Sequence, residues 1–232
     1  MAVILKSIEE IKGFLKVLES GLRVGGGRDN LGLGEVENPI LRHPITRWPY
    51  VPGSSIKGKL RALLELRDCP STQSDGRPCV CGECDVCLLF GCADSKKSRS
   101  PTRLLFRDCQ PTEETTALWM SLGIDSEVKN EIIVDRRSGF SSSRFTHRLA
   151  ERLPAGSDFN FSFSLRIFDG DESARFFNYL ADGLDLIEKD YLGAYGSRGF
   201  GHVKFTDEND RPLSALLRQM AGQLTFPKEG GL

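Results

Sequence analysis

The chain has 232 residues, 39% of them hydrophobic, enough to bury a sizeable core in one elaborated domain or two small ones. Thirty-one lysines and arginines against 32 acidic residues leave a net charge of −1, so no global charge advertises a nucleic-acid ligand. There is no long apolar run and no charged–apolar–small leader pattern, so the expectation is a soluble cytoplasmic protein with no membrane partner.

Charge distribution says more than the total. Residues 38–61 carry Arg42, Arg47, Lys57, Lys59 and Arg61 without an acid, and residues 96–107 carry Lys96, Lys97, Arg99, Arg103 and Arg107, again without one. Residues 136–152 hold five arginines against one glutamate. Local basic faces on a neutral chain suit RNA lying along one groove, although each cluster alone also fits a solvated surface. Seven cysteines, four of them within residues 79–87, argue for metal in a reducing compartment over a disulfide framework.

In chain order, residues 1–11 read as a lead-in and residues 14–24 as the first strand. Gly25-Gly26-Gly27 follows, removing side chains where a phosphate or another backbone can approach. A glycine-containing loop over residues 28–44 carries Asp29, Glu35 and Glu37. In Trp48-Pro-Tyr-Val-Pro-Gly-Ser-Ser55 the prolines hold the chain extended and Gly53 permits a bend. Ser54 or Ser55 then caps a helix over residues 54–66 whose N-terminal N–H groups suit a phosphate. Lys57, Lys59 and Arg61 add charge, while Ile56, Leu60, Leu63 and Leu64 form the helix's apolar face. The plainer reading of this stretch is a capped turn and a core helix.

Cys79-Val-Cys81-Gly-Glu-Cys84-Asp-Val-Cys87 is the strongest chemical signal. Thiolates at this spacing fold around one soft ion, and four sulfur ligands with no open position predict one structural Zn2+. Cys79 is the expected fourth ligand, with Cys69 its rival and Cys92 a distant third. An iron–sulfur cluster or a redox cluster is the competing assignment. Residues 103–108 read as a strand, followed by a polar connection in which Cys109 is an ordinary buried thiol.

Residues 129–153 interleave cations with aromatics, including Arg136, Arg137 and Phe140, a composition that suits single-stranded nucleic acid. Residues 157–168 alternate apolar and polar as a half-buried strand. Residues 172–189 form a helix with Phe176, Phe177, Leu180, Leu184 and Ile187 on one face. In Leu192-Gly-Ala-Tyr-Gly-Ser-Arg-Gly-Phe-Gly201 four glycines surround Ser197 and Arg198, so the main chain around Gly196 can lie against a sugar-phosphate backbone while Arg198 pairs with phosphate. A strand at residues 202–205, a short helix and a loose tail end the chain.

Five stretches, Gly21-Leu-Arg-Val-Gly-Gly-Gly27, Glu37-Asn-Pro-Ile40, Val51-Pro-Gly-Ser-Ser-Ile-Lys-Gly-Lys-Leu-Arg61, Leu89-Phe-Gly91 and Leu192–Gly201, together resemble the RAMP superfamily of CRISPR–Cas proteins. More narrowly they resemble the Csm-type backbone subunit that repeats along the guide RNA in type III effector complexes. The resemblance implies an α+β fold: a modified ferredoxin-like, RRM-like RAMP core over residues 1–232, with a zinc-binding insertion at 67–102 and a thumb-like β-hairpin at 129–153. It implies guide contacts at Arg23, Gly25, Gly26, Ser54, Ser55, Lys57, Lys59, Arg61, Gly196, Ser197 and Arg198, and a thumb bearing Arg136, Arg137 and Phe140. Relatives that cut target RNA carry an aspartate two residues before the proline matching Pro39. Here that position is Glu37, with Asp29 on the same loop as a substitute, and Mg2+ as the cleavage cofactor.

The implied partners are CRISPR guide RNA, complementary target RNA, head-to-tail copies of the chain and other complex subunits. Two other functions compete. A metal-independent repeat-processing ribonuclease would use His43, His147 or His202 as acid or base. A zinc-stabilised protein adaptor would bind no RNA.

Overall fold

The computed structural model describes residues 3–25, 39–69, 76–94, 96–97, 100–132, 137 and 147–225. The chain runs β1 (Leu5–Val17), α1 (Gly53–Asp68), α2 (Asp85–Phe90), β2 (Leu104–Phe106), α3 (Glu113–Leu122), β3 (Glu127–Ile132), β4 (His147–Arg152), β5 (Asp158–Phe168), α4 (Ser173–Lys189), a 3-10 turn (Gly196–Arg198), β6 (Val203–Thr206) and α5 (Leu213–Thr225).

The strands order as β2-β5-β1-β6 in an antiparallel sheet, with β3 and β4 forming a separate two-stranded ribbon. Removing α2, α3, the ribbon and α5 leaves a β-α-β-β-α-β chain with the first strand central, the ferredoxin-like arrangement expected. Strand alternation decides which face is covered. Ile11, Leu15 and Val17 of β1 and Phe159, Phe161, Phe163 and Leu165 of β5 are buried, whereas Lys6, Ile8, Glu10 and Lys12 are exposed. The helices lie on the buried face. Ile56, Leu60 and Leu64 of α1 and Phe176, Phe177, Leu180, Leu184 and Ile187 of α4 are buried in one core, and Leu213 and Leu217 of α5 extend it. Gly183 lets α4 approach α1, because a Cβ there would sit 2.5 Å from Leu60 Cδ1.

Three local expectations are corrected. The first strand begins at Leu5 and ends at Val17, not at residues 14 and 24, because β1 pairs with β5 from its start and the described chain just beyond it makes isolated bridges, Leu22 to Leu153 and Gly25 to Ile40. Neither serine caps α1: Pro52 is the N-cap residue without a side-chain bond, and the Gly53 N–H donates to Asp108 Oδ1 at 2.9 Å. Gly53 is there for close packing, since a Cβ would lie 2.5 Å from the Arg107 carbonyl oxygen.

The supposed polar connection after Cys109 contains α3. Thr112 Oγ1 accepts from Thr115 N–H at 3.2 Å, Glu113 and Glu114 occupy the first turn, and Gly123 ends the helix at φ 66°. That cap, acid and glycine sequence is a readable helix signature. Trp119 of α3 is buried against Trp48 and Phe159.

Candidate RNA interface and metal centre

The loop at residues 192–201 closes on itself and on the segment that follows β1. Leu192 N–H donates to Gly201 O at 2.9 Å, Gly201 N–H to Gly21 O at 2.8 Å, and Ala194 N–H to Arg23 O at 2.9 Å. Its glycines serve this closure more than ligand approach. Gly193 and Gly201 sit at φ 79° and 83°, and added Cβ atoms would lie 2.2 Å from Arg23 O and 2.0 Å from Leu192 O. Gly196 packs on the Tyr191 ring, and only Gly199 of the four meets nothing within 4 Å. Gly201→Ala therefore combines a left-handed backbone with a backbone clash and is expected to lower stability by about 3 kcal/mol or more, measured by denaturant unfolding.

Closing the loop builds a stack of cations and rings. The Arg23 guanidinium lies 4.5 Å from the Tyr195 ring centre, and that of Arg198 lies 4.8 Å from the same ring. Tyr195 meets Phe200 edge-on at 5.8 Å. Lys129 of β3 and Arg152 of β4 reach the Phe200 ring at 4.5 and 4.9 Å. The ribbon is thereby seated on the glycine-rich loop, with Lys129 Nζ donating to Arg198 O at 3.4 Å and Arg152 donating to Ser20 O and Glu127. Arg23 is only 6% exposed and its Nε has no partner. Among the described residues no carboxylate pairs with this buried cation, which leaves it able to take up an anion. Ser197 and Arg198 are exposed beside it.

Tyr195, Phe200, Lys129 and Arg152 escaped the sequence reading. The two rings stand inside the quoted glycine motif and were readable as stacking candidates. Lys129 and Arg152 join it only across the fold.

The cations of α1 are placed differently from the expectation. Residues two apart on a helix point about 200° apart, so Lys59 faces away from Lys57 and Arg61, which at i and i+4 share one face. Lys57 donates to Leu104 O at 3.4 Å, and burial, then Arg61 and Arg166 nearby, lower its pKa. Lys59 pairs with Asp190 at 2.6 Å over the Tyr191 ring. Arg61 binds Glu65 Oε1 at 2.8 Å and Cys79 O at 3.0 Å, tying the cysteine segment to α1. Ser54 is exposed and Ser55 half-buried at the helix start, and Gly25 is exposed and bridged to Ile40. Arg137 is exposed. Gly26, Asp29, Glu37, Arg136 and Phe140 lie outside the described residues.

The sulfurs of Cys79, Cys81, Cys84 and Cys87 all lie within 4.8 Å of one another. Cys79 to Cys84 and Cys81 to Cys87 are each 3.8 Å. Four ligands at about 2.3 Å around a tetrahedral ion stand about 3.8 Å apart, so the donor set fits zinc. Cys84 also caps α2, and N–H groups of Glu83, Cys84 and Cys87 point at the Cys81 and Cys84 sulfurs. Against the burial that would raise it, the Glu83 and Cys84 N–H donors hold the Cys81 thiol at about 6, favouring the thiolate a metal needs. Cys69 lies 3.9 Å from Cys84 but outside the four-sulfur group. Cys109 is fully buried and its thiol is pushed up to about 12.

Among the described side chains, His43 Nδ1 faces the N–H groups of its own turn, whereas His202 Nδ1 lies 3.2 Å from Glu19.

The RAMP superfamily profile matches residues 14–204. The chain belongs to the RAMP superfamily. Within it stand the relatives named CRISPR system Cms endoribonuclease Csm3. That of Methanothermobacter thermautotrophicus is 38% identical over 223 residues, covering 89% of this chain and 88% of its own. That of Methanocaldococcus jannaschii is 39% identical over 196 residues, covering 82% and 75%. Among solved structures, the Csm3–Csm4 subcomplex of the type III-A CRISPR–Cas interference complex superposes with a TM-score of 0.60 at 25% identity over the whole of both chains. Methanopyrus kandleri Csm3 shares the RAMP fold with a TM-score of 0.57 at 22% identity, covering 88% of this chain and 76% of that one.

Proposed function

We propose that this chain is a guide-RNA-binding backbone subunit of a type III CRISPR effector complex. Several copies stack head-to-tail along the guide, and each cuts the paired target RNA in a magnesium-dependent way. Glu37 is the first candidate for the cleaving acid and Asp29, on the same loop, the second. Magnesium, when bound, supplies Lewis acidity to the scissile phosphate. The Cys79, Cys81, Cys84 and Cys87 set holds one structural zinc.

The observation that carries the RNA reading is the buried Arg23 guanidinium, without a partner at Nε and stacked on Tyr195 beside the exposed Arg198. A phosphate placed there would satisfy a charge that the protein leaves unsatisfied, and contact to backbone alone leaves base edges free to pair. The ribbon formed by β3 and β4 meets that same stack through Lys129 and Arg152, which supports reading it as the stem of a thumb. His43 and His202, each bonded to a different part of the chain, lend no support to repeat processing.

Guide binding measured from low to moderate salt tests this. Arg198→Ala is expected to weaken binding alike for all guide sequences and to flatten the salt slope by about 1. Arg23→Gln is expected to cost about tenfold or more in affinity. Wild-type chain without RNA affinity at low salt would instead support a zinc-stabilised adaptor.

A further inference from the structure

The loop that bears Asp29 and Glu37 leaves the described chain at Gly25 and returns at Pro39. Its base is closed by the Gly25–Ile40 bridge and by Leu41 N–H donating to Val24 O at 3.3 Å. A carboxylate from the ribbon reaches into that base. Glu151 of β4, 9% exposed, accepts the Ile40 N–H on Oε2 at 2.9 Å. Its Oε1 accepts Arg42 Nη2 at 2.9 Å and Ser126 Oγ at 2.6 Å. Arg42 also clasps both oxygens of Asp125 at 2.5 and 3.0 Å. One carboxylate thus takes three donors from two segments that are 109 residues or more and 25 residues away in sequence. An ordinary surface pair does not need this. A half-buried ionic cluster contributes little net stability but holds geometry strongly.

We propose that Glu151 and Arg42 are positioning residues for target cleavage, fixing the return of the acid-bearing loop to the stem of the thumb. The proposal rests on the reading that an acid of this loop cuts RNA. Glu37 is three residues before Ile40, so covalent geometry holds its Cα within about 11 Å of the anchored amide. The anchored amide thus joins the stem of the ribbon to a point three residues from Glu37 along the chain. None of the hydrogen bonds to Glu151 comes from Arg23 or Arg198, the side chains proposed to contact the guide.

Glu151→Gln is the informative change. A glutamine has one acceptor oxygen and one NH2 group, so either the Ile40 N–H or the Arg42–Ser126 side faces a donor instead of an acceptor. Ser126→Ala removes one donor and leaves the Arg42 pair, giving a milder variant should Glu151→Gln fold poorly.

The test uses the assembled complex with guide, target and magnesium, and reads single-turnover cleavage, guide affinity and hydrogen exchange at the Ile40 amide. The expected result is faster exchange at Ile40, a roughly tenfold to hundredfold slower cut and unchanged guide affinity, with a smaller change in the same direction for Ser126→Ala. In the Glu37→Ala, Asp29→Ala background, Glu151→Gln should slow residual cleavage no further. Wild-type cleavage with Ile40 exchange accelerated would overturn the proposal, as would a parallel loss of guide binding. If the double loop variant itself cuts at the wild-type rate, the loop-acid reading fails first and takes this inference with it. That outcome is separable because it requires no change at Glu151.

Discussion

Replacing Glu37 by alanine is expected to abolish regularly spaced target cuts in the magnesium-loaded complex, lowering the rate by at least about a hundredfold while guide and target remain bound. Glutamate offers the same carboxylate as the aspartate of cutting relatives, on a side chain one methylene longer. That difference moves the oxygens by roughly an ångström, a displacement that by itself can alter rate about a hundredfold in a fixed backbone. The loop backbone must therefore supply the compensation, and its return strand is held at Ile40 by the bridge to Gly25 and by Glu151. Glu37→Asp separates the two contributions: a faster cut than wild type would mean that the backbone compensates incompletely. Cuts that persist in Glu37→Ala and vanish in Asp29→Ala would move the chemistry to Asp29. Absence of cuts in the wild-type complex, with both RNAs bound, would leave a guide scaffold alone.

The second large effect is expected at the cysteine cluster. Cys84→Ser should lose the zinc measured by elemental analysis, from one per chain to none, and destabilise the protein by several kcal/mol in thermal or denaturant unfolding. Structural zinc binding is worth about 10–16 kcal/mol in small domains, and most of that is folding energy. Cys84 is the most consequential ligand because its sulfur touches that of Cys79, accepts the Cys87 N–H and caps α2. The effect should spread beyond the cluster. Arg61 and Glu65 both bond the Cys79 backbone, so α1 loses its last-turn support when the segment opens. Cys69→Ser is the control. It should retain one zinc, because Cys69 touches Cys84 without joining the four-sulfur group. Loss of zinc in Cys69→Ser with retention in Cys79→Ser would exchange the two assignments.

Much of this was legible in the residues alone, for reasons that are local. Strict alternation over residues 157–168 defined β5 within one residue, because a strand's two faces repeat every second position. The spacing of Phe176, Phe177, Leu180, Leu184 and Ile187 defined α4 in the same way, all five being buried. The cysteine spacing pointed to four thiols that the fold brings within 4.8 Å of one another, because a short segment keeps its own side chains close.

Signals carried by composition without periodicity did less well. Lys57, Lys59 and Arg61 were read as charge for one phosphate, whereas in α1 Lys59 lies on a different face from the other two and each has its own partner within the protein. The glycines of the 192–201 loop looked open to a ligand, yet three of the four are filled by the protein's own backbone and a tyrosine ring.

What only the tertiary structure decided is which charges are already spent. Arg23 and Arg42 stand 19 positions apart, each preceded by a leucine and followed by a second arginine five residues on. Arg42 is neutralised by Asp125 and Glu151, whereas Arg23 is buried on Tyr195 with its Nε unpaired. Partners more than 80 residues away make that distinction. Coulombic and hydrogen-bond interactions depend on separation in space, which residue order alone does not contain.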